Sequence, residues 1–226
     1  MEVLESKIFF LTNFLPINAG IILPWIITAI WFCLCYYGTR NLSLVPGRLQ
    51  NFLEILVEGV QAFLKAILGP AHAMNMMPFF TSLFLYMASS NLIGIIPGFK
   101  SPSTIFSNCL GMALIIFFLT HFWGFRSKGL GYIKHFWGEP FWMGPLMLPI
   151  HIIGELARPV SLTLRLFGNL MGEDVVLLVL TIYIFPLFVP VPMLAFAVFT
   201  DTVQALVFTI LSTIYVSSAM APDDHH

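Results

Sequence analysis

The stretch HIIGELARPVSLTLRLFGNLMGED, residues 151–174, decides how this chain is interpreted. It places six ionisable side chains in an apolar sequence that suits a helix: His151, Glu155, Arg158, Arg165, Glu173 and Asp174. The helix-compatible region extends over 143–185. About 40 residues at 1.5 Å each give roughly 60 Å of helix, twice the thickness of the hydrocarbon core of a bilayer. We therefore predict a long, steeply tilted helix with charges inside a membrane.

The composition of the whole chain supports a membrane environment. Of its 226 residues, 58% are hydrophobic and 9% are charged, whereas soluble domains carry about 25% charged residues. Stretches without Asp, Glu, Lys or Arg cover 8–39, 66–99, 101–125, 175–200 and 202–222. Each exceeds the roughly 20 residues that a helix needs to cross a bilayer. The sequence thus predicts a polytopic membrane protein and excludes an ordinary soluble enzyme.

Charge and motifs exclude several other classes of function. A net charge of -1 offers no basic surface for nucleic acid. Three cysteines in apolar stretches predict neither a disulfide framework nor a thiolate metal site. Because the sequence has no HExxH motif and no glycine loop of the kind that binds phosphate, we predict no metal and no cofactor.

The predicted fold is an all-α integral membrane protein, with about five membrane helices and one interfacial amphipathic helix. Membrane helices are predicted at 20–38, 78–97 and 104–125, and long tilted ones at 143–185 and 191–219, the last two forming a hairpin. Between 46 and 68, apolar residues recur every three or four positions opposite polar ones, which is typical of a helix lying on a membrane surface. We predict one membrane domain over 1–226.

Loop charges predict the orientation. Six cations fall on one side of the predicted spans: Arg40, Arg48, Lys65, Arg126, Lys128 and Lys134. Lys7 and Lys100 fall on the other side. Since cations are enriched in cytoplasmic loops, the amino terminus is predicted to lie outside.

At 100° per residue, the long helix has two polar faces. Arg158, Leu162, Arg165, Asn169, Gly172 and Glu173 share one stripe, and Asp174 points about 180° from Arg165. A charge at the bilayer centre costs at least about 2.5–3.5 kcal/mol, so such a residue is expected to face protein or water and to have a function. For His151 and Arg158, a helix-end role with the charge reaching the interface is the alternative. On the final helix, Asp201 and Gln204 lie on neighbouring positions, and Gln204 is predicted to approach Arg165 or to form a purely structural hydrogen bond between helices.

Three motifs carry a family resemblance. PVSLTLRLFGN followed by an acidic residue, the upstream SNLIGIIPGF and the downstream VQALVFTILSTIYV resemble subunit a of the F-type ATP synthases, over about 46–215. The resemblance implies a stator subunit of the Fo sector, with partners in the c-subunit ring, the peripheral-stalk b subunits and the rest of the complex. It implies two offset half-channels that pass protons to and from the ring, with ATP chemistry performed by other subunits.

The same resemblance implies roles for individual residues. Arg165 corresponds to the essential arginine that faces the carboxylates of the ring, and Ser161, Asn169 and Gln204 match positions near it. Asp174 matches the acidic residue of the outer half-channel. His151 stands where the family often has a glutamate, so the inner path is predicted to use His151, Glu155 or both.

The chain departs from the family's pattern at Ala197, where some members have a histidine that partners the outer acid. Glu173 and Asp201 are the predicted sources of the missing polarity. The role of His121 in the third span is left open.

Two rival functions follow from the residues. One is a self-contained ion channel or secondary transporter, although the repeated halves common in transporters are absent from the sequence. The other is a structural stator anchor, with the amphipathic helix docking the peripheral stalk. The coupling ion, proton or sodium, is left open. The short chain without a transit-like amino terminus favours a bacterial inner membrane over an organelle.

Overall fold

The computed structural model describes residues 19–40, 43, 46–95, 101–129, 131–132, 144–183 and 190–220. Five long helices account for most of them: α1 Ala19–Thr39, α2 Arg48–Leu92, α3 Phe106–Lys128, α4 Gly144–Tyr183 and α5 Pro190–Met220. The described residues contain no strand. The all-helical membrane fold is therefore confirmed, and the helix ends lie close to the predicted ones for α1, α3, α4 and α5.

Helix α2 consists of two helical parts that meet at a kink. The backbone leaves the helical conformation at Gly69 (φ 73°, ψ 162°), directly after the surface helix predicted at 46–68, and the span predicted at 78–97 belongs to the second part. Gly69 permits this change of direction because glycine adopts positive φ without a steric penalty. The following Pro70 has no backbone N–H and cannot donate the hydrogen bond that would continue the preceding helix. A 3-10 turn, Ile93–Ile95, follows the helix. Positions 96 and 97 of the predicted span lie outside the described residues.

Apolar length identifies most of the helices as membrane spans. Stretches within α1, α2, α3 and α5 are long and apolar enough to cross a bilayer: Ile22–Thr39, Ala73–Ile95, Phe106–Lys128 and Pro192–Met220. Helix α4 has the required length, at 40 residues, but carries the charged residues of the 151–174 stretch.

The core lies where α2, α3, α4 and α5 meet. Leu162, Leu166 and Leu170 recur every four residues and bury one face of α4. Phe80 of α2 and Phe208 of α5 belong to the same core. Helix α1 packs on α2 at the side of this bundle, where Trp31 Nε1 donates a 2.7 Å hydrogen bond to Ser89 Oγ.

Positions 143 and 184–185 of the predicted hairpin lie outside the described residues, as do Lys7, Lys100 and Lys134 of the predicted orientation.

Candidate functional site

Arg165 lies on the exposed face of α4. Ser161, Arg165 and Asn169 lie at the border of the side that the buried leucines occupy, and all three are exposed. Within the described part of the chain, the Arg165 guanidinium makes no ion pair and no hydrogen bond. If the helix lies in a bilayer, a permanent charge in this position requires a partner beyond the described residues.

Asn169 connects this face to α5. Its side-chain Nδ2 donates a 2.7 Å hydrogen bond to Oε1 of Gln204, and Gln204 is only 7% exposed. This bond joins α4 to α5, as the structural alternative for Gln204 predicted. The approach of Gln204 to Arg165 stays a prediction. Gln204 Nε2 is buried and has no hydrogen-bond partner among the described residues.

A cavity of about 370 Å³ opens beside this pair, between α4 and α5. Its polar lining consists of Asn169, Glu173, Thr200, Asp201 and Gln204. Thr200 Oγ1 donates a 3.0 Å hydrogen bond to Glu173 Oε2, and Asp201 is 3% exposed. The structure thus brings together four of the predicted residues, together with Thr200, which the sequence reasoning missed. We call this space the Glu173 cavity.

Asn91 is a second residue that sequence reasoning did not assign. Its Nδ2 donates a 3.3 Å hydrogen bond to the backbone oxygen of Asp201, which joins the end of α2 to α5. Asn91 Oδ1 and Ser90 Oγ are buried without partners among the described residues. A run of polar residues at the end of an apolar helix, SSN at 89–91, was the available signal.

Asp174 acts electrostatically on Glu173 and Asp201 but belongs to a different surface. It is exposed and does not line the Glu173 cavity, although it follows Glu173 directly in the chain. This agrees with the expectation that Asp174 points away from the Arg165 face.

A second, much smaller cavity lies toward the amino-terminal end of α4. It encloses about 10 Å³ between α3, α4 and α5, with polar walls from Thr120, Glu155, Arg158 and Tyr215. Arg158 Nη1 lies 3.0 Å from Glu155 Oε1, and the guanidinium carbon lies 5.2 Å from the centre of the Tyr215 ring. The other carboxylate oxygen, Glu155 Oε2, is buried without a partner among the described residues. We call this space the Glu155 cavity.

Arg165 lies between the two cavities along α4. The Glu155 cavity ends at Leu162, and the Glu173 cavity begins at Asn169. These residues stand three positions before and four positions after the arginine, a total of about 10 Å along the helix axis. His151, one turn before Glu155, is half-buried and lines neither cavity. The structure therefore has two polar spaces, separated along one helix by one exposed cation.

These features define a class: an all-helical, multi-pass membrane protein with buried ionisable groups in the pattern of an ion-translocating protein. Comparison with known proteins identifies the family. Residues 21–217 match the family model described as ATP synthase A chain. The chain belongs to this family.

Curated relatives match this chain over nearly its whole length. The chain is 40% identical to the ATP synthase subunit a of Desulfosudis oleivorans, over 92% of this chain and 90% of that protein. It is 42% identical to the subunit a of Solidesulfovibrio magneticus, over 90% and 85%. For Helicobacter hepaticus the identity is 39%, over 89% of each chain. The resemblance seen in the sequence is confirmed, and the chain is a multi-pass membrane subunit of the proton-conducting Fo sector of an ATP synthase. The lone transporter is not favoured.

Proposed function

We propose that this subunit passes protons to and from the carboxylates of a c-subunit ring through two half-channels, with Arg165 as the barrier between them. One observation carries the proposal: an exposed arginine, unpaired among the described residues, lies along α4 between two cavities that each contain ionisable side chains. A self-contained channel would require a continuous path, and here the arginine lies between the two polar spaces.

The physical role of Arg165 follows from its permanent charge. A ring carboxylate can face lipid only when it is neutral. A guanidinium beside it stabilises the ionised form and causes the proton to leave. Because arginine stays protonated at any working pH, it cannot relay a proton from one half-channel to the other, and ring rotation becomes the only route. Exposed Ser161 and Asn169 on the same face support close approach of a ring helix.

The Glu173 cavity is the proposed outer half-channel. Glu173 and Asp201 supply titratable groups there, and Asn169 with Gln204 forms its inner end next to Arg165. Asp174, on the outer part of α4, is the proposed entry carboxylate. The Glu155 cavity is the proposed inner half-channel, with Glu155 and His151 as its carriers. This orientation is supported by Arg126 and Lys128 in the last turn of α3, at the same end of the bundle as Glu155.

Partners and location follow from the family. The c ring is the proposed occupant of the Arg165 face. The peripheral-stalk b subunits are the proposed partners of the first half of α2, where Leu49, Phe52 and Ile55 are exposed. The subunit itself is not a catalyst and works in a bacterial inner membrane. The bacterial relatives support that location.

Replacing the arginine tests the proposal. In the complete complex, Arg165→Ala is expected to abolish ATP-driven proton pumping and ATP synthesis while assembly is retained. Arg165→Lys should fail too, since an ammonium lacks the planar fork and is more readily deprotonated when desolvated. Arg40→Ala is the control, because Arg40 is an exposed arginine directly after α1, and no residue of α1 lines either cavity. Wild-type coupling in an assembled Arg165→Ala complex would reject the mechanism. A stable complex with c and b subunits would separately exclude a lone transporter.

A further inference from the structure

His121 and Tyr132 form a polar pair beside the Glu155 cavity. The His121 Nδ1 atom lies 2.8 Å from the Tyr132 hydroxyl. His121 directly follows Thr120, which lines the cavity, and its ring lies 4.2 Å, centre to centre, from that of Phe117, which also lines it. The carboxylate of Glu155 and the guanidinium of Arg158 both act electrostatically on this pair. A titratable imidazole therefore stands next to the proposed inner half-channel.

The fold holds this pair in place. Tyr132 is 4% exposed, and its ring packs against α3 at Gly124. A Cβ atom at Gly124 would lie 2.6 Å from Cε2 of Tyr132 and 2.9 Å from Cζ, which is closer than van der Waals contact allows. Glycine at this position is what lets the Tyr132 hydroxyl reach His121, three residues earlier on α3.

The Glu155 cavity has the properties of a water site. Its volume of about 10 Å³ is close to the minimum for one water molecule, and a water in such a site needs polar partners. Glu155 Oε2 is buried there without a partner among the described residues. A water bound to this oxygen would connect the carboxyl group to the wall of the cavity formed by α3.

We infer that His121, oriented by Tyr132, is the proton carrier between Glu155 and the end of α3 that bears Arg126 and Lys128. The inference rests on the proposed function, because it extends the same inner half-channel. The Glu155 carboxyl group loses its proton to water, and the water gives a proton to Nε2 of His121. The imidazolium then releases its Nδ1 proton through the Tyr132 hydroxyl, which passes its own proton to water. One proton enters and one leaves, and the ring is neutral again.

Two variants separate this role from a structural one. His121→Gln keeps an amide that can hydrogen-bond Tyr132, but it cannot be protonated at working pH. His121→Ala leaves space that added imidazole can enter. The assay is ATP synthesis by the complete complex in liposomes, driven by a potassium diffusion potential at equal pH on both sides. Both variants are expected to lose at least about tenfold in rate, since general acid-base groups contribute factors of that size or more. Imidazole should restore His121→Ala and not His121→Gln, with the wild type measured at the same imidazole concentration.

A pair of glycine variants tests the positioning by Tyr132. Gly124→Ala should lower the rate as much as Tyr132→Phe does, because its methyl group displaces the Tyr132 ring. Gly111→Ala is the matched control on α3, since a Cβ there meets nothing within 4 Å, and it should keep the wild-type rate.

The outcomes are decisive. Wild-type synthesis by His121→Gln overturns the inference, as does a loss in His121→Ala that imidazole does not relieve. If Arg165→Ala also stays fully coupled, the proposed function fails. If Arg165→Ala is inactive while His121→Gln is fully active, only the inner carrier has been assigned wrongly.

Discussion

Asn169 on α4 donates a 2.7 Å hydrogen bond to Gln204 on α5, one turn beyond the exposed Arg165. Both residues line the Glu173 cavity, and the bond joins the two helices beside the arginine. Gln204 is nearly buried, so an unpaired amide there would incur a desolvation penalty.

The first prediction is that Asn169 and Gln204 act as a unit. Asn169→Leu and Gln204→Met should each slow proton pumping in inverted vesicles. The double variant should pump about fivefold faster than multiplication of the two single-variant losses would give. The reason is that the net hydrogen bond contributes about 1 kcal/mol and is lost only once. Gln50→Met combined with Asn169→Leu is the control pair, since Gln50 bonds to Glu54 on α2. If the loss of pumping rate in the double variant equals the product of the two single losses, the two residues do not act as a unit.

The second prediction concerns the open face around Arg165. Gly168 is exposed, three residues from Arg165, and a Cβ atom there meets nothing within 4 Å. Gly168→Leu should leave the subunit folded, since leucine is among the better helix formers and glycine among the poorest. The leucine side chain should nevertheless lower the pumping rate roughly tenfold, because it holds a ring helix away from the arginine.

Gly111→Leu on α3 provides the control, because a Cβ atom there also meets nothing within 4 Å and neither the ring nor the b subunits are proposed to contact it. Rapid coupled pumping by Gly168→Leu would show that no partner approaches this face closely.

The faces of α4 could be read from the sequence. In a helix with 3.6 residues per turn, the spacing in the sequence fixes which residues share a face, and tertiary packing does not change this. The stripe containing Arg165 and Asn169 and the opposite direction of Asp174 therefore follow from position alone. The all-helical fold also followed, since apolar length suffices to predict spans.

Relationships between helices could not be read in the same way. The hydrogen-bond partner of Gln204 depends on the rotation and depth of α5 against α4, so the bond from Asn169 could not be predicted from sequence spacing. Thr200 and Asn91 carry no charge, and many threonines and asparagines serve only to join helices. The kink at Gly69 is the kind of break that a Gly-Pro pair produces in a helix, whereas its angle depends on packing between the helices.

The third prediction concerns sidedness. Residues 155 and 174 are separated by 19 positions of α4, about 28 Å at 1.5 Å per residue, which is close to the thickness of the hydrocarbon core. In a background without Cys33, Cys35 and Cys109, Glu155→Cys and Asp174→Cys should react with a water-soluble thiol reagent from opposite sides of the membrane. Intact and inverted vesicles supply the two orientations.

Leu170→Cys serves as the control, since Leu170 is 5% exposed in the core and should react slowly from both sides. Reaction of the 155 and 174 variants from one common side would reject the layout of two half-channels.

The last prediction separates the three outer acids by their positions. Glu173 and Asp201 line the cavity next to Arg165, whereas exposed Asp174 does not. If Asp174 collects protons and the cavity acids deliver them, each step requires a group that can gain and lose a proton, and an amide of the same size cannot replace it. Asp174→Glu should therefore keep much of the pumping rate in inverted vesicles, while Asp174→Asn and Asp201→Asn should each lose most of it. Thr200→Val is the control, because it removes the hydrogen bond to Glu173 and leaves every carboxylate in place, so its loss should be smaller. Full activity of a triple variant carrying Glu173→Gln, Asp174→Asn and Asp201→Asn would remove all three acids from the pathway.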